Sequence, residues 1–212
     1  MNLCNTEIEL KKRWAIPYNW GRKQYDSWDK DTNFIYTIDT FDQIRAEIAN
    51  RFKDSKQQEQ LTNYAWNRWY NFQSAKAIEH IFTSHPKVRK VWNGRDREKD
   101  FFIDDIPFDH KTSIFPSNYG NDFEFAKQHP KDLAKWLYIN QSEQQRFHIK
   151  NRLFVVLHNA TGEHWKLKAE LSWLEQLITN YLDSFSKDNL ITLTHKNGSL
   201  LTDILLFSKD NS

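Results

Sequence analysis

Two aspartates and a lysine, Asp100, Asp109 and Lys111, are spaced so that a β-hairpin would bring them onto one face. Apolar runs on both sides of Asp104-Asp105 predict two short strands, and this pair tolerates the geometry of a two-residue turn. With the turn centred there, Asp100 stands directly opposite Asp109, where facing Cβ atoms are about 4.5 to 5.5 Å apart. Lys111 follows two residues later and shares the face of Asp109.

This arrangement of charges suits a divalent cation. Like charges directly opposite each other destabilise a strand pair, so a purely structural sheet is expected to avoid them. Carboxylates suit Mg²⁺, which needs one or two of them together with waters and phosphate oxygens. A lysine beside such a pair could contact the negative charge that develops on a reacting phosphate, or hold the attacking water. The alternative is an exposed hairpin whose charges are simply solvated.

The pattern of Asp100 followed by Asp109-His110-Lys111 resembles the PD-(D/E)XK nuclease superfamily, which has the restriction-endonuclease-like fold. In that superfamily an acid and a (D/E)-x-K motif lie on adjacent strands. The resemblance implies a core with the order helix, three antiparallel strands, helix, strand (αβββαβ), and residues 61 to 158 can be placed in that order. It also implies that Asp100 and Asp109 bind Mg²⁺, for which Mn²⁺ substitutes, and that Lys111 assists the attacking water.

Two further site residues come from the same resemblance. The first core helix of the superfamily often supplies an acid to the metal site, and Glu79 lies on the apolar stripe of the helix predicted at residues 61 to 82. The second core helix often turns a polar or basic residue towards the site, and Gln144 has the matching phase in the helix that begins at Pro130. Each has a plainer alternative, because Glu79 could reach water from the edge of its stripe and Gln144 could pack at a helix end.

The segment before Asp100 is rich in Lys and Arg, and it could hold the phosphates of a nucleic acid near the metal. Lys87 and Arg89 are assigned instead to a solvated strand edge, since basic residues commonly protect such edges. The residues predicted to bind nucleic acid are Arg95, Arg97 and Lys99, with Ser113 in the third strand and Asn118 in the loop after it.

Periodicity predicts the elements that position these residues, in an α/β fold whose central mixed sheet is flanked by helices. An N-terminal helical extension precedes the restriction-endonuclease-like core, and a C-terminal helix plus β-hairpin follows it. Helices are predicted at residues 39 to 52, 61 to 82, from 130 towards 147 and at 171 to 185. Strands are predicted at 87 to 92, 101 to 103, 106 to 116, 152 to 158 and 165 to 170, with a terminal hairpin at 190 to 194 and 200 to 207.

Length and composition predict one domain of 212 residues, made of an extension (1 to 60), a nuclease-like core (61 to 170) and a C-terminal part (171 to 212). The single cysteine, Cys4, excludes an internal disulfide, and five glycines leave no glycine-rich phosphate loop. No apolar run approaches the length of a membrane span, and the start lacks a signal-peptide pattern, so we expect a cytoplasmic protein. The net charge of +2 is too small to prove a nucleic-acid partner by itself.

The prediction for function is a magnesium-dependent nuclease that hydrolyses phosphodiester bonds of nucleic acid, with DNA favoured and a restriction or other defence endonuclease role among those that the resemblance implies. The predicted catalytic group is Asp100, Asp109, Lys111, Glu79 and Gln144. A homodimer is expected, because cutting both strands with one site per chain usually requires two chains. The competing class is a nucleic-acid-binding or structural protein that keeps the fold without catalysis.

Overall fold

The computed structural model describes residues 1–19, 27–91, 99–140, 150–195 and 198–210. The chain forms two compact units, and the main boundary between them lies within one long helix. The first unit is Met1–Ile78 with Lys168–Leu174, and the second is Glu79–Leu167 with Glu175–Ser212. Among the helices of these ranges, none is long and apolar enough to cross a membrane.

The first unit is helical. It contains α1 (Leu3–Lys11), α2 (Ser27–Asp31), α3 (Phe41–Phe52) and the larger part of α4 (Gln58–Thr83). The helix α3 buries one apolar stripe, made of Phe41, Ile44, Ile48 and Phe52. The ring of Phe41 stacks on Trp66 of α4 with centroids 4.8 Å apart, so the aromatic residues of this unit form its core.

The second unit contains a six-stranded mixed sheet with the order β1-β2-β3-β4-β6-β5. The strands are β1 (Val88–Lys90), β2 (Phe101–Ile103), β3 (Ile106–Ile114), β4 (Arg152–His158), β5 (Ile191–His195) and β6 (Gly198–Ser208). Neighbours from β1 to β3 are antiparallel, β4 is parallel to β3 and β6, and β5 is antiparallel to β6. The strand β4 lies inside the sheet because five of its seven residues are buried and apolar, and such a strand needs cover on both faces.

Helices flank this sheet. Between β3 and β4 lie α5 (Phe123–Gln128) and α6 (Pro130–Asn140), which pack against Phe154, Val156 and Ile204 of the sheet. The last part of α7 (Leu171–Asp183) packs on the opposite face, where the Tyr181 hydroxyl donates a hydrogen bond to the Asp203 carboxylate. From α4 onwards the chain therefore has one helix, three antiparallel strands, two helices and then β4, where the prediction had a single helix before the fourth strand.

The hairpin has the predicted register, with Ile103 opposite Ile106 and Phe101 opposite Phe108. Asp104 and Asp105 have φ values of 45° and 65°, as a type I′ turn requires at both central positions. Aspartate tolerates this left-handed region better than most residues, and the turn twists in the sense that two adjacent strands need.

One strand prediction is wrong. The pattern of residues 165 to 170 predicts an extended segment, but His164–Ala169 is a 3₁₀ helix. The cause is local, because the Oδ1 atom of Asn159 accepts hydrogen bonds from the backbone N–H groups of Thr161 and Glu163 at 3.0 and 3.3 Å. These bonds hold the chain in a turn after β4, as Asn side chains commonly do.

The other predicted elements differ only in their bounds. The third strand ends at Ile114 rather than at residue 116, the first is limited to Val88–Lys90, and the terminal hairpin extends the sheet as expected. The predictions for Arg95, Arg97 and Gln144 lie outside the described residues. The prediction that the chain forms one domain stays a prediction, while the structure divides the chain into two compact units.

Candidate active site

The two strands of the hairpin pair as far as Phe101 and Phe108, and Asp100 and Asp109 lie directly beyond that pair. The backbone N–H of Asp100 donates to the carbonyl oxygen of Phe108 at 2.8 Å. The backbone N–H of His110 donates to Oδ2 of Asp100 at 2.7 Å. The Asp100 carboxylate is therefore held at the start of the segment Asp109-His110-Lys111 by this side-chain hydrogen bond, while the Asp109 N–H donates to Asn151 O and not to Asp100.

Asp109 lies between two cationic side chains. Its Oδ1 is 3.1 Å from Nζ of Lys111, and its Oδ2 is 3.1 Å from Nε of Arg152. Lys111 is the predicted partner two residues along β3, whereas Arg152 is the first residue of β4 and lies directly beside Asp109 in the parallel pairing. Each carboxylate oxygen of Asp109 thus has its own positive partner.

The Asp100 carboxyl is in a different electrostatic state. Burial raises its pKa above the ordinary value, and the neighbouring charges of Asp109 and Glu79 raise it further, while the His110 N–H bond and Lys111 act in the opposite direction. Asp100 is the acid of this cluster that has no ion-pair partner among the described residues, whereas Asp109 and Glu79 are paired. Its carboxyl is therefore the one available to a cation.

Glu79, at the end of α4, contributes to the site by its charge. Its Oε1 is 3.6 Å from Nζ of Lys90, and its side chain is 35% exposed, so it is neither fully buried nor free in solvent. Its contact with Lys90 of β1 places Glu79 on the side of the helix that faces the sheet. The helix end is held there by Phe82, whose ring stacks on Phe101 with centroids 5.1 Å apart.

One asparagine fixes the strand ends around this cluster. The backbone oxygen of Asn151 accepts from Asp109 N–H at 2.9 Å, and its side chain donates to Pro107 O at 3.2 Å. Its Oδ1 accepts from Leu201 N–H at 2.8 Å. Asn151, which directly precedes Arg152, therefore ties β3, β4 and β6 together at the level of Asp109.

The residues predicted to bind nucleic acid differ in their distance from the site. Lys99 lies next to the site, with Nζ 5.6 Å from the ring centroid of Phe102. Ser113 shares the face of Asp109 and Lys111, and its buried Oγ has no hydrogen-bond partner among the described residues. Asn118 is exposed in the turn beyond β3, and at about 3.4 Å per residue the strand end is already roughly 17 Å from Asp109. The structure does not bring Asn118 to the cluster.

Two residues of the site were missed by sequence reasoning, Arg152 and Tyr138. The guanidinium carbon of Arg152 is 5.3 Å from the ring centroid of Tyr138, which projects from α6. Burial raises the pKa of Tyr138 to about 12, and Asp109 adds to this shift, so the phenol stays protonated beside the acid. Tyr138 is thus the described residue of α6 that reaches this region. An arginine at the start of a wholly apolar strand was the one available signal for Arg152.

The carboxylates of this cluster do not form a ready-made cage. Among the residues that the structure describes, no three His, Cys, Asp or Glu side chains are arranged to hold a metal ion. Mg²⁺ does not require such a cage, since one or two carboxylates with waters and phosphate oxygens are its usual ligands in phosphate-processing sites. Asp100 and Asp109 fit that requirement as two neighbouring carboxylates, of which Asp100 has no ion-pair partner among the described residues and Asp109 has two.

Comparison of the chain with protein-family models, with curated proteins and with solved structures finds no match.

Proposed function

We propose that this chain is a metal-dependent nuclease that hydrolyses phosphodiester bonds in nucleic acid, with DNA as the substrate and a restriction or other defence role. The observation that carries the proposal is the group of Asp100, Asp109 and Lys111 at the base of the hairpin. Asp109 also ties β3 to β4 through Arg152, but Asp100 has no ion-pair partner among the described residues, and the half-exposed Lys111 is 3.1 Å from Asp109. A carboxylate without an ion-pair partner beside an exposed lysine supports a site that takes a cation and a phosphate.

The order of elements supports the same proposal. A helix, three antiparallel strands, two helices and a parallel fourth strand surround the three residues, which is the order that the resemblance to PD-(D/E)XK nucleases implies with one helix added. The acid lies at the start of the second strand and the Asp-x-Lys segment on the third. We therefore assign the second unit to the restriction-endonuclease-like fold as part of this proposal.

Asp100 and Asp109 are the residues that would hold Mg²⁺ or Mn²⁺, with Glu79 as an accessory ligand. Bound there, the cation would stabilise the negative charge of the reacting phosphate and lower the pKa of a water molecule. Lys111 and Arg152 hold the Asp109 carboxylate in place. Lys111 is the group that can orient the attacking water or contact the developing charge, because its side chain is 47% exposed and starts on the same face.

The test is incubation of the protein with plasmid DNA, linear DNA and RNA in the presence of Mg²⁺, Mn²⁺ or a chelator. Metal-dependent cutting by the wild type is expected, and Asp100→Asn and Lys111→Ala should each reduce the rate by about 100-fold or more while the thermal melting curve is retained. The matched control is Asp104→Asn, the same chemical change at the hairpin tip, which should leave most of the activity.

A binding protein without catalysis is the competing function. It predicts that the chain retains nucleic acid in a filter or anisotropy assay, yet cuts no substrate with either metal. If Asp104→Asn is inactive and Asp100→Asn is active, the metal ligands have been assigned to the wrong acids.

A further inference from the structure

Arg152 is bound to the candidate site in an unusual way. Arginine and carboxylate groups often pair through two parallel hydrogen bonds, one from each side of the guanidinium fork. Here only Nε contacts Asp109, at 3.1 Å from Oδ2, because Lys111 already occupies Oδ1 at the same distance. The pairing therefore leaves both Nη groups of Arg152 unused by Asp109.

The Arg152 side chain is nevertheless held in place. The parallel pairing sets its backbone beside Asp109, and the Oγ1 of Thr202 donates to its carbonyl oxygen at 2.7 Å. The guanidinium lies over the ring of Tyr138, whose hydroxyl donates to Lys150 O at 2.9 Å. Only 12% of the Arg152 side chain is exposed, so the group is oriented before any ligand arrives.

The two Nη groups have no hydrogen-bond partner among the described residues. A guanidinium is always charged, and its fork matches the oxygens of carboxylate and phosphate groups. A mostly buried arginine that offers a free fork beside Asp109 and Lys111 is therefore suited to bind an anion at that place. The anion that the proposed reaction brings there is a phosphodiester.

We propose that Arg152 binds a non-bridging oxygen of the phosphate at the cleavage site through its Nη groups, while its Nε holds Asp109. This inference rests on the proposed nuclease function for the identity of the anion. It adds a catalytic residue that contacts the substrate, from a strand outside the hairpin motif. During hydrolysis a water oxygen bonds to phosphorus and gives up one proton to solvent, the bond from phosphorus to the leaving sugar oxygen breaks, and that oxygen takes up a proton. Arg152 stabilises the negative oxygens as this happens.

The first measurement is binding, which does not depend on cutting. Anisotropy of a fluorescein-labelled DNA duplex is recorded with Ca²⁺ in place of Mg²⁺ over a series of salt concentrations. Loss of one phosphate contact lowers the slope of log K against log salt concentration by about one. Arg152→Gln is expected to show this smaller slope, whereas the surface variant Arg51→Gln, which loses an exposed pair with Glu47, should keep the wild-type slope.

The second measurement is the single-turnover cutting rate at saturating DNA and Mg²⁺. Removing one preorganised donor to a reacting oxyanion costs about 100- to 1000-fold in rate, and Arg152→Gln should lose that much. Arg152→Lys keeps the charge without the fork and should be intermediate. Added guanidinium chloride at millimolar concentration should restore part of the rate of Arg152→Ala, whereas sodium chloride should not. A residue that only supports the fold would not give this rescue.

The results separate the two proposals. If the wild type binds DNA without cutting it, the nuclease proposal fails, and the salt slope of Arg152→Gln still decides whether Arg152 contacts phosphate. If the wild type cuts and Arg152→Gln keeps both its rate and its slope, the assignment of Arg152 is wrong. If the wild type neither binds nor cuts DNA or RNA, both are overturned. A melting curve recorded by circular dichroism shows whether Arg152→Lys is folded under the conditions of these assays.

Discussion

His110 lies between Asp109 and Lys111 in β3, and it should make the stability of the protein sensitive to acid. Its side chain points away from Asp109, packs between Phe82 and Phe101 with ring centroids 5.2 and 6.2 Å away, and is 8% exposed. Nε2 lies 2.8 Å from the Oγ1 of Thr112. Burial lowers the pKa of His110 from 6.5 to about 3, with a smaller effect from the charge of Lys111. The folded protein therefore holds this ring neutral, while the unfolded chain can protonate it.

The size of the effect follows from that difference in pKa. A group whose pKa is lowered by folding stabilises the protein above its ordinary pKa, and this stability is lost as the pH falls towards the folded value. Each pH unit below 6.5 costs about 1.4 kcal/mol until the pH nears 3. The contribution of His110 to the free energy of unfolding should therefore fall by about 2 kcal/mol between pH 7 and pH 5.

The assay compares the wild type with His110→Gln, which cannot titrate and keeps an amide near Thr112. Urea unfolding at pH 7 and pH 5 gives the free energy of unfolding for each protein. The variant should be less stable at pH 7 because it loses ring packing, and the gap should shrink by about 2 kcal/mol at pH 5. The other histidines titrate in both proteins, so they cancel in the comparison. Parallel pH curves for the two proteins would refute this account of His110.

Three further outcomes follow from the structure. Burial raises the pKa of Asp203, although its carboxylate accepts hydrogen bonds from the Tyr181 hydroxyl and the Ile204 N–H. Its ionised form therefore destabilises the fold at neutral pH, and Asp203→Asn should raise the melting temperature there. Because protonation removes that penalty, the gain should disappear near pH 3, and an equal gain at both pH values would contradict this cause. Asp105 has a φ of 65°, a conformation that glycine adopts more easily, so Asp105→Gly should raise the free energy of unfolding in urea by about 1 kcal/mol. A lower free energy of unfolding would show that the exposed ion pair of Asp105 with Arg89 contributes more than the backbone conformation. Sedimentation should detect a homodimer, whereas a monomer at all concentrations would leave nicking or single-strand cutting as the activity.

Local physical chemistry was sufficient to predict the hairpin. The alternation of side chains with a period of two, the two apolar runs and the turn at Asp104-Asp105 together set one register, and a shift by one residue would turn every side chain to the other face. The interactions that set this register lie within about ten residues of one another. For that reason the pairing of Phe101 with Phe108, which sets Asp100 and Asp109 directly beyond it, could be predicted before the fold was known.

Long-range packing decided the remainder of the site. Arg152 is 43 residues from Asp109, and only the parallel pairing of β3 with β4 sets the two side by side. The same holds for Tyr138, which reaches Arg152 because α6 packs on Phe154. No periodicity in either segment indicates which strand lies beside which, since that choice depends on the total burial of all strands and helices.

The segment at residues 165 to 170 shows the limit in the other direction. Its alternation of apolar and polar residues is typical of a strand, but Asn159 and the contact of its N–H with Nδ1 of His164 at 2.8 Å turn the chain immediately before it. A strand forms only where a neighbour offers free backbone groups, and sequence pattern alone does not report that neighbour. The sequence therefore determined which residues could act together across one turn, while the tertiary structure decided which distant residues join them, because contacts between distant segments depend on the packing of the whole sheet.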